Sequence, residues 1–126
     1  ILALLIEQLP DSRVRDNLWR MRSIPDTAPL TKVADSFGSS GYVAESVPLA
    51  IFAVARTSGS PFETVMTEVI RCGGDTDTIA SMAGQIGGCL YGDQWVPSDL
   101  LKKLPEGDEV YATAAKYVDA LLSLPK

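Results

Sequence analysis

"CGGDTDTIASMAGQIGGCLYG", residues 72–92, is the stretch on which the reading of this chain turns. Asp75 and Asp77 stand one residue apart, interleaved with Thr76 and Thr78, behind the glycine pair Gly73 and Gly74. The spacing predicts a helix from about Thr76 to Tyr91, ended by Gly92. Each glycine inside a helix costs about 1 kcal/mol relative to alanine, so Gly84, Gly87 and Gly88 together cost roughly 3 kcal/mol. Packing must offset that cost. Ala80, Ala83, Gly84, Gly87 and Gly88 recur at spacings of three and four, which predicts a face without bulk that another helix backbone approaches closely. The helix is therefore expected to be central and surrounded, with a rigid first turn. The same Gly-xxx-Gly spacing serves membrane dimers, but Gln85 and the flanking acids argue against that here.

The two acids admit two readings. Asp75 is a good N-cap residue, able to accept from the backbone N–H of Thr78, and Asp77 would lie in the first turn, where the helix dipole favours an anion. One acid suffices for capping, however, and the pair repels itself. The other reading is a hard divalent cation, which prefers carboxylate and hydroxyl oxygens, with Asp75, Asp77 and the Thr78 hydroxyl presented to one point. A six-coordinate site needs about six oxygens, and this segment offers three side chains. Asp35, Glu45, Asp93 and Asp99 are scattered, so waters or another segment must complete any such site.

Helical spacing dominates the rest of the chain, and strand alternation is nearly absent. Residues 1–9 read as a helix stopped by Pro10, and as the tail of a helix whose start is missing. Residues 12–23 place Val14, Leu18 and Met21 on one stripe. "IPDTAPLTK", residues 24–32, reads as a loop with Pro25 and Pro29 as breakers. "FGSSGY", residues 37–42, is a polar loop, and a helix follows through residue 58, limited by Pro48 and ended by Gly59. Ser60, Pro61 and Glu63 form a capping-box signature for a helix reaching Arg71 or Cys72. "PSDLLKKLP" is a short helix. "DEVYATAAKYVDALLSL" is amphipathic, with Val110, Ala114, Tyr117, Val118, Leu121 and Leu122 expected to face inward. The expectation is an all-α fold of six or seven helices in one domain, residues 1–126.

With 126 residues and 46% hydrophobic composition, the chain can build a core. A net charge of −5 argues against a nucleic-acid binder, which would show a basic face, and disfavours an anionic membrane. No stretch reaches the ~18 apolar residues of a transmembrane span. No histidine is present, which excludes Ser-His and Cys-His nucleophile pairs within the chain. Cys72 and Cys89 lack metal-type spacing and read as buried, reduced thiols, consistent with a cytoplasmic setting. Trp19, Tyr91 and Trp95 read as core or boundary packing.

The stretch "GGDTDTIASMAGQIGGCLYG", with "SSGYVAESVPLAIFAVARTSGSPFETVMTEVIRC" before it and "VPSDLLKKL" beyond, resembles the C-terminal motif of the ADP-ribosylglycohydrolases over about residues 36–104. The resemblance implies a compact all-α bundle and hydrolysis of the bond joining ADP-ribose to a protein or small-molecule acceptor. It also implies a site with two ions, Mg²⁺ or Mn²⁺. Asp75, Asp77 and Thr78 match metal ligands of the family's last motif, and Gly38, Ser39, Ser40, Gly41 and Tyr42 lie where members shape the ADP-ribose pocket. The family's "GDALG"-like and "TDDT"-like stretches are absent, and no catalytic acid or base is carried over. The resemblance thus implies a C-terminal portion carrying half of the metal site, completed by a missing N-terminal half or another chain, and inactive in isolation. Because the resemblance extends to lens crystallins, an inactive ADP-ribose-binding or structural protein is the alternative.

Overall fold

The structure is a computed structural model, and it describes residues 2–57 and 59–124. Among the described residues it is helical without strands, as the periodicity predicts, with eight α-helices and one 3₁₀ turn where six or seven helices are expected. The chain divides into two compact units, one running to Trp95 and one starting at Val96.

In the first unit, α1 spans Leu2–Gln8, α2 Arg13–Met21, α3 Leu30–Phe37, α4 Val43–Arg56, α5 Phe62–Arg71 and α6 Thr76–Tyr91. Helix α4 lies at its centre. It touches α1, α2, α3, α5 and α6, and it buries Leu49, Phe52, Ala53 and Val54 almost completely. Those residues meet Met21 from α2, Leu30 and Val33 from α3, Val65 and Val69 from α5, and Ile79 and Ala83 from α6 in one apolar core.

Pro48 sits in the second turn of α4 and does not end it. Proline has no N–H, so the Ala44 carbonyl one turn earlier loses its intrahelical donor. The side-chain amide of Asn17, on α2, fills that vacancy with a 2.8 Å hydrogen bond to the Ala44 oxygen. The proline thereby becomes a point of attachment between α2 and α4.

Four expectations for the first unit need correction. The loop expected as far as Lys32 is already helical from Leu30, with Pro29 just ahead of the first residue of α3. Proline ends a preceding helix but is well suited to the start of a new one, and eight residues carry too little periodic signal to show this. The Ser60 capping box does not form. Helix α5 starts one residue late, with Pro61 at the cap position and no side-chain cap bond, while the Ser60 carbonyl accepts from the Trp95 indole N–H at 2.9 Å. The small-residue face of α6 is only half used: Ala83 and Gly87 turn toward the core, whereas a Cβ added at Gly84 or Gly88 would meet nothing within 4 Å. A 100° step separates Ala83 from Gly84, so the stripe straddles the core boundary. Finally, the thiols are not both buried. Cys89 is exposed, and Cys72 is half-buried, donating to the Glu68 carbonyl at 3.2 Å. Burial, then the Glu68 carboxylate, pushes the Cys72 pKa up to about 11.

The second unit contains α7, Ser98–Leu101, and α8, Gly107–Leu122. Within this unit α8 buries none of its residues. The apolar stripe expected to face inward, from Val110 to Leu122, is left open, because the single turn of α7 is too short to cover it. No described helix is long and apolar enough to cross a membrane.

Candidate metal and sugar site

The site is built where two loops touch. Gly73 and Gly74 both adopt positive φ, +69° and +71°, a region L-residues rarely enter. A Cβ at Gly74 would lie 2.1 Å from the Ser39 carbonyl oxygen, so only glycine lets the two backbones approach. The Asp75 N–H donates to that same oxygen at 2.8 Å. The turn ahead of α6 is thus stitched to the loop between α3 and α4.

That loop, Gly38 to Tyr42, is braced from its other side by Glu45. The Ser40 N–H and hydroxyl both donate to Glu45 Oε2, at 3.1 and 2.6 Å. The Tyr42 N–H in turn donates to Ser40 Oγ at 3.2 Å. These bonds to the charged form hold the Glu45 carboxyl below the usual glutamate range. Gly38, at φ +90°, lies against the Glu45 side chain, where a Cβ would come within 2.3 Å of Cδ. The Tyr42 hydroxyl accepts from Arg13 at 3.3 Å.

Gly41 faces the acids. A Cβ there would stand 2.6 Å from Asp75 Oδ2, so the absence of a side chain is what gives that carboxylate its place. Asp75 occupies the N-cap position of α6 but makes no side-chain cap bond; the capping reading therefore fails for it. Asp77, in the first turn, has its carboxyl held below the usual aspartate range. The cause is first a hydrogen bond with the Asp75 carboxyl, then the backbone N–H groups of Thr78 and Asp77 itself. Thr78 follows in the same turn, exposed.

The structure therefore places Asp75, Asp77 and Thr78 in one helical turn and sets Gly41 and Ser39 directly beside it. Glu45, which reads in the sequence as one of several scattered acids, proves to brace the loop. Its signal lies in its place, third in the first turn of α4, from which a glutamate reaches back to N–H groups ahead of the helix. Asn17 carries no signal of its own.

The donors fit a hard divalent cation in kind. The Asp75 carboxylate is free of cap bonds, and Asp77 follows it in the first turn of the same helix. They do not suffice in number, since no group of three or more acidic, cysteine or histidine side chains gathers among the described residues.

A family profile described as ADP-ribosylglycohydrolase matches residues 1–125 of the chain. The chain is 34% identical over 79 residues to the ADP-ribosylarginine hydrolase Tri1 of Serratia proteamaculans, covering 63% of this chain and 21% of that protein. It is 33% identical over 104 residues to the ADP-ribosylhydrolase ARH3 of Gallus gallus, covering 75% and 28%. With the ADP-ribosyl-[dinitrogen reductase] glycohydrolase of Rhodospirillum rubrum the identity is 31% over 86 residues, covering 68% and 28%. The chain thus spans between about a fifth and a little over a quarter of the length of these relatives. No solved structure matches it.

Proposed function

The chain belongs to the ADP-ribosylglycohydrolase family, and from that premise we propose that it supplies one half of a metal-dependent site that releases ADP-ribose from a modified protein or small-molecule acceptor. The observation that carries this reading is the shared edge between the two candidate regions: Asp75 Oδ2 lies against Gly41, and the Asp75 N–H is bonded to the Ser39 oxygen. A ligand seated on the Gly38–Tyr42 loop would therefore lie beside the acids. Relatives named as hydrolases of ADP-ribosylarginine, or of ADP-ribosyl-dinitrogen reductase, support the substrate class.

In this mechanism Asp75, Asp77 and Thr78 would hold the metal, Mg²⁺ or Mn²⁺, with two ions in the complete site. Bound there, such ions orient hydroxyl groups and stabilise developing charge at the bond being cut. The chain's own task is positioning. The Gly73–Gly74 turn fixes Asp75 through the Ser39 bond, and the Glu45–Ser40 bonds keep the loop in one shape. Gly41, having no side chain, leaves room for the Asp75 carboxylate. The remaining metal oxygens must come from waters and from residues of the rest of a complete enzyme or of a partner chain, so the chain alone is expected to be inactive. The site of action is proposed to be the cytoplasm, with neither nucleic acid nor membrane as partner.

Asp77→Ala in the complete enzyme should abolish metal-dependent release of ADP-ribose, measured by product chromatography, while the helical circular dichroism stays unchanged. Turnover equal to the parent would remove Asp77 from the mechanism.

A further inference from the structure

Helix α2 meets the Gly38–Tyr42 loop at both of its ends. Arg20 sits 4.8 Å above the ring of Phe37, the residue that leads into the loop. Arg13 donates to the hydroxyl of Tyr42, the loop's last residue, at 3.3 Å. Asn17 lies one turn from Arg13 on the same face of α2 and donates to the Ala44 carbonyl, two residues beyond the loop, at 2.8 Å. The helix is itself anchored from within, because its Leu18 and Met21 are fully buried. It therefore offers the loop a fixed support.

The three contacts are unequal. Arg13, Arg20 and Tyr42 are exposed, so water competes for their partners. Asn17 is half-buried, and its acceptor has lost its helical donor to Pro48. The residue after Ala44 is Glu45, whose carboxylate holds the Ser40 N–H and hydroxyl. Ser39, next to Ser40, accepts from the Asp75 N–H at 2.8 Å. A continuous path of hydrogen bonds and backbone thus runs from Asn17 through Ala44, Glu45 and Ser40 to the turn that carries the acids.

We propose that Asn17 is a positioning residue for the substrate: through it α2 acts as a strut that sets the shape of the Gly38–Tyr42 loop, and with it the place of the sugar relative to Asp75. The inference rests on the function proposed above and adds to it a residue outside the two loops that form the site. Asn17 touches neither the sugar nor the metal. Its effect passes through the start of α4, where the Ala44 carbonyl is tied to α2 and the Glu45 side chain reaches back to the loop.

Pro48→Ala separates positioning from stability, because it returns a backbone N–H to the Ala44 carbonyl without returning the tie to α2. N17A/P48A should therefore melt close to P48A, with unchanged helical circular dichroism. In the ¹⁵N-labelled chain its Ser40 and Asp75 amides should nevertheless exchange with solvent at least 10-fold faster than those of P48A, a local opening at constant global stability. In the complete enzyme, N17A/P48A should raise KM for an ADP-ribosylated protein at least 5-fold over P48A, with kcat within 2-fold, as loss of substrate positioning in the ground state requires. A purely structural Asn17 would leave exchange and KM at their P48A values once the carbonyl has its donor. Exchange equal to that of P48A, or an equal KM, would overturn the role. Exchange is read without metal or ligand, and the Asp77→Ala turnover measurement reports on the function separately, so failure of one reading is distinguishable from failure of the other.

Discussion

Gly41 decides more at the residue scale than its size implies. Its φ lies outside the positive region, so alanine suits the backbone, and the conflict is confined to the Asp75 carboxylate 2.6 Å from the new Cβ. Gly41→Ala should therefore leave the thermal melt nearly unchanged while weakening Mn²⁺ binding at least 10-fold by calorimetry. Equal affinity would mean that Asp75 Oδ2 takes no part in the site. Glu45 gives a pH signature. Its folded pKa is depressed by Ser40, so the contact is fully present above the ordinary carboxyl pKa of the unfolded chain and is lost as pH falls through the depressed value. The Ser40 amide should keep its protection from exchange through mildly acidic pH and lose it only below the ordinary glutamate range. Glu45→Gln should remove that pH dependence. A transition at or above the ordinary range would contradict the bonding described.

At the element scale, α6 and α4 make opposite lessons visible. Gly87→Ala would drive a Cβ to 2.1 Å from the Trp95 ring. That ring cannot yield easily, because its N–H is bonded to Ser60 and it packs on Phe62 and Tyr91, with ring centroids 5.1 and 5.4 Å away. Overpacking of this kind costs about 1–3 kcal/mol. Gly84→Ala and Gly88→Ala enter open space and should each stabilise the chain by about 0.5–1 kcal/mol through helix propensity. Urea melts of the three variants check this, and the same sign for all three would refute the packing. In α4, Asn17→Ala should cost about 1 kcal/mol by leaving the Ala44 carbonyl without its donor. The cost should nearly vanish in a Pro48→Ala background, where a backbone N–H returns. An unchanged cost in that double variant would show that Asn17 acts elsewhere.

These elements are legible in the sequence to different degrees. Long helices with clear periodicity, α2, α5, α6 and α8, are evident from residue spacing alone. Helix α3 is not, because Pro29 looks like a breaker although it also favours a helix start. The glycine stripe of α6 marks close packing correctly at Gly87 and misleads at Gly84 and Gly88, because spacing alone does not tell where the core boundary falls. Asp75, Asp77 and Thr78 are evident as a group. Their link to Gly41 and Ser39 is not, because it joins residues some 35 positions apart through backbone contact, which leaves no trace in residue type beyond the glycines that permit it.

At the scale of the whole molecule, membership in the ADP-ribosylglycohydrolase family and the spacing of two acids and a threonine converge on one centre. The first unit carries the residues proposed for that centre. The second unit carries none of them, and its α8 keeps an apolar stripe uncovered within its own boundaries. The central claim is that Asp75, Asp77 and Thr78 offer their oxygens to one divalent ion beside the Gly38–Tyr42 loop. It is tested most directly by titrating the ¹⁵N-labelled chain with Mn²⁺ and mapping which amide signals broaden. The account predicts broadening centred on residues 74–79 and on Ser40 and Gly41, abolished in D75N/D77N. Broadening centred instead on the acids of residues 106–109, or a pattern unchanged in D75N/D77N, would contradict it.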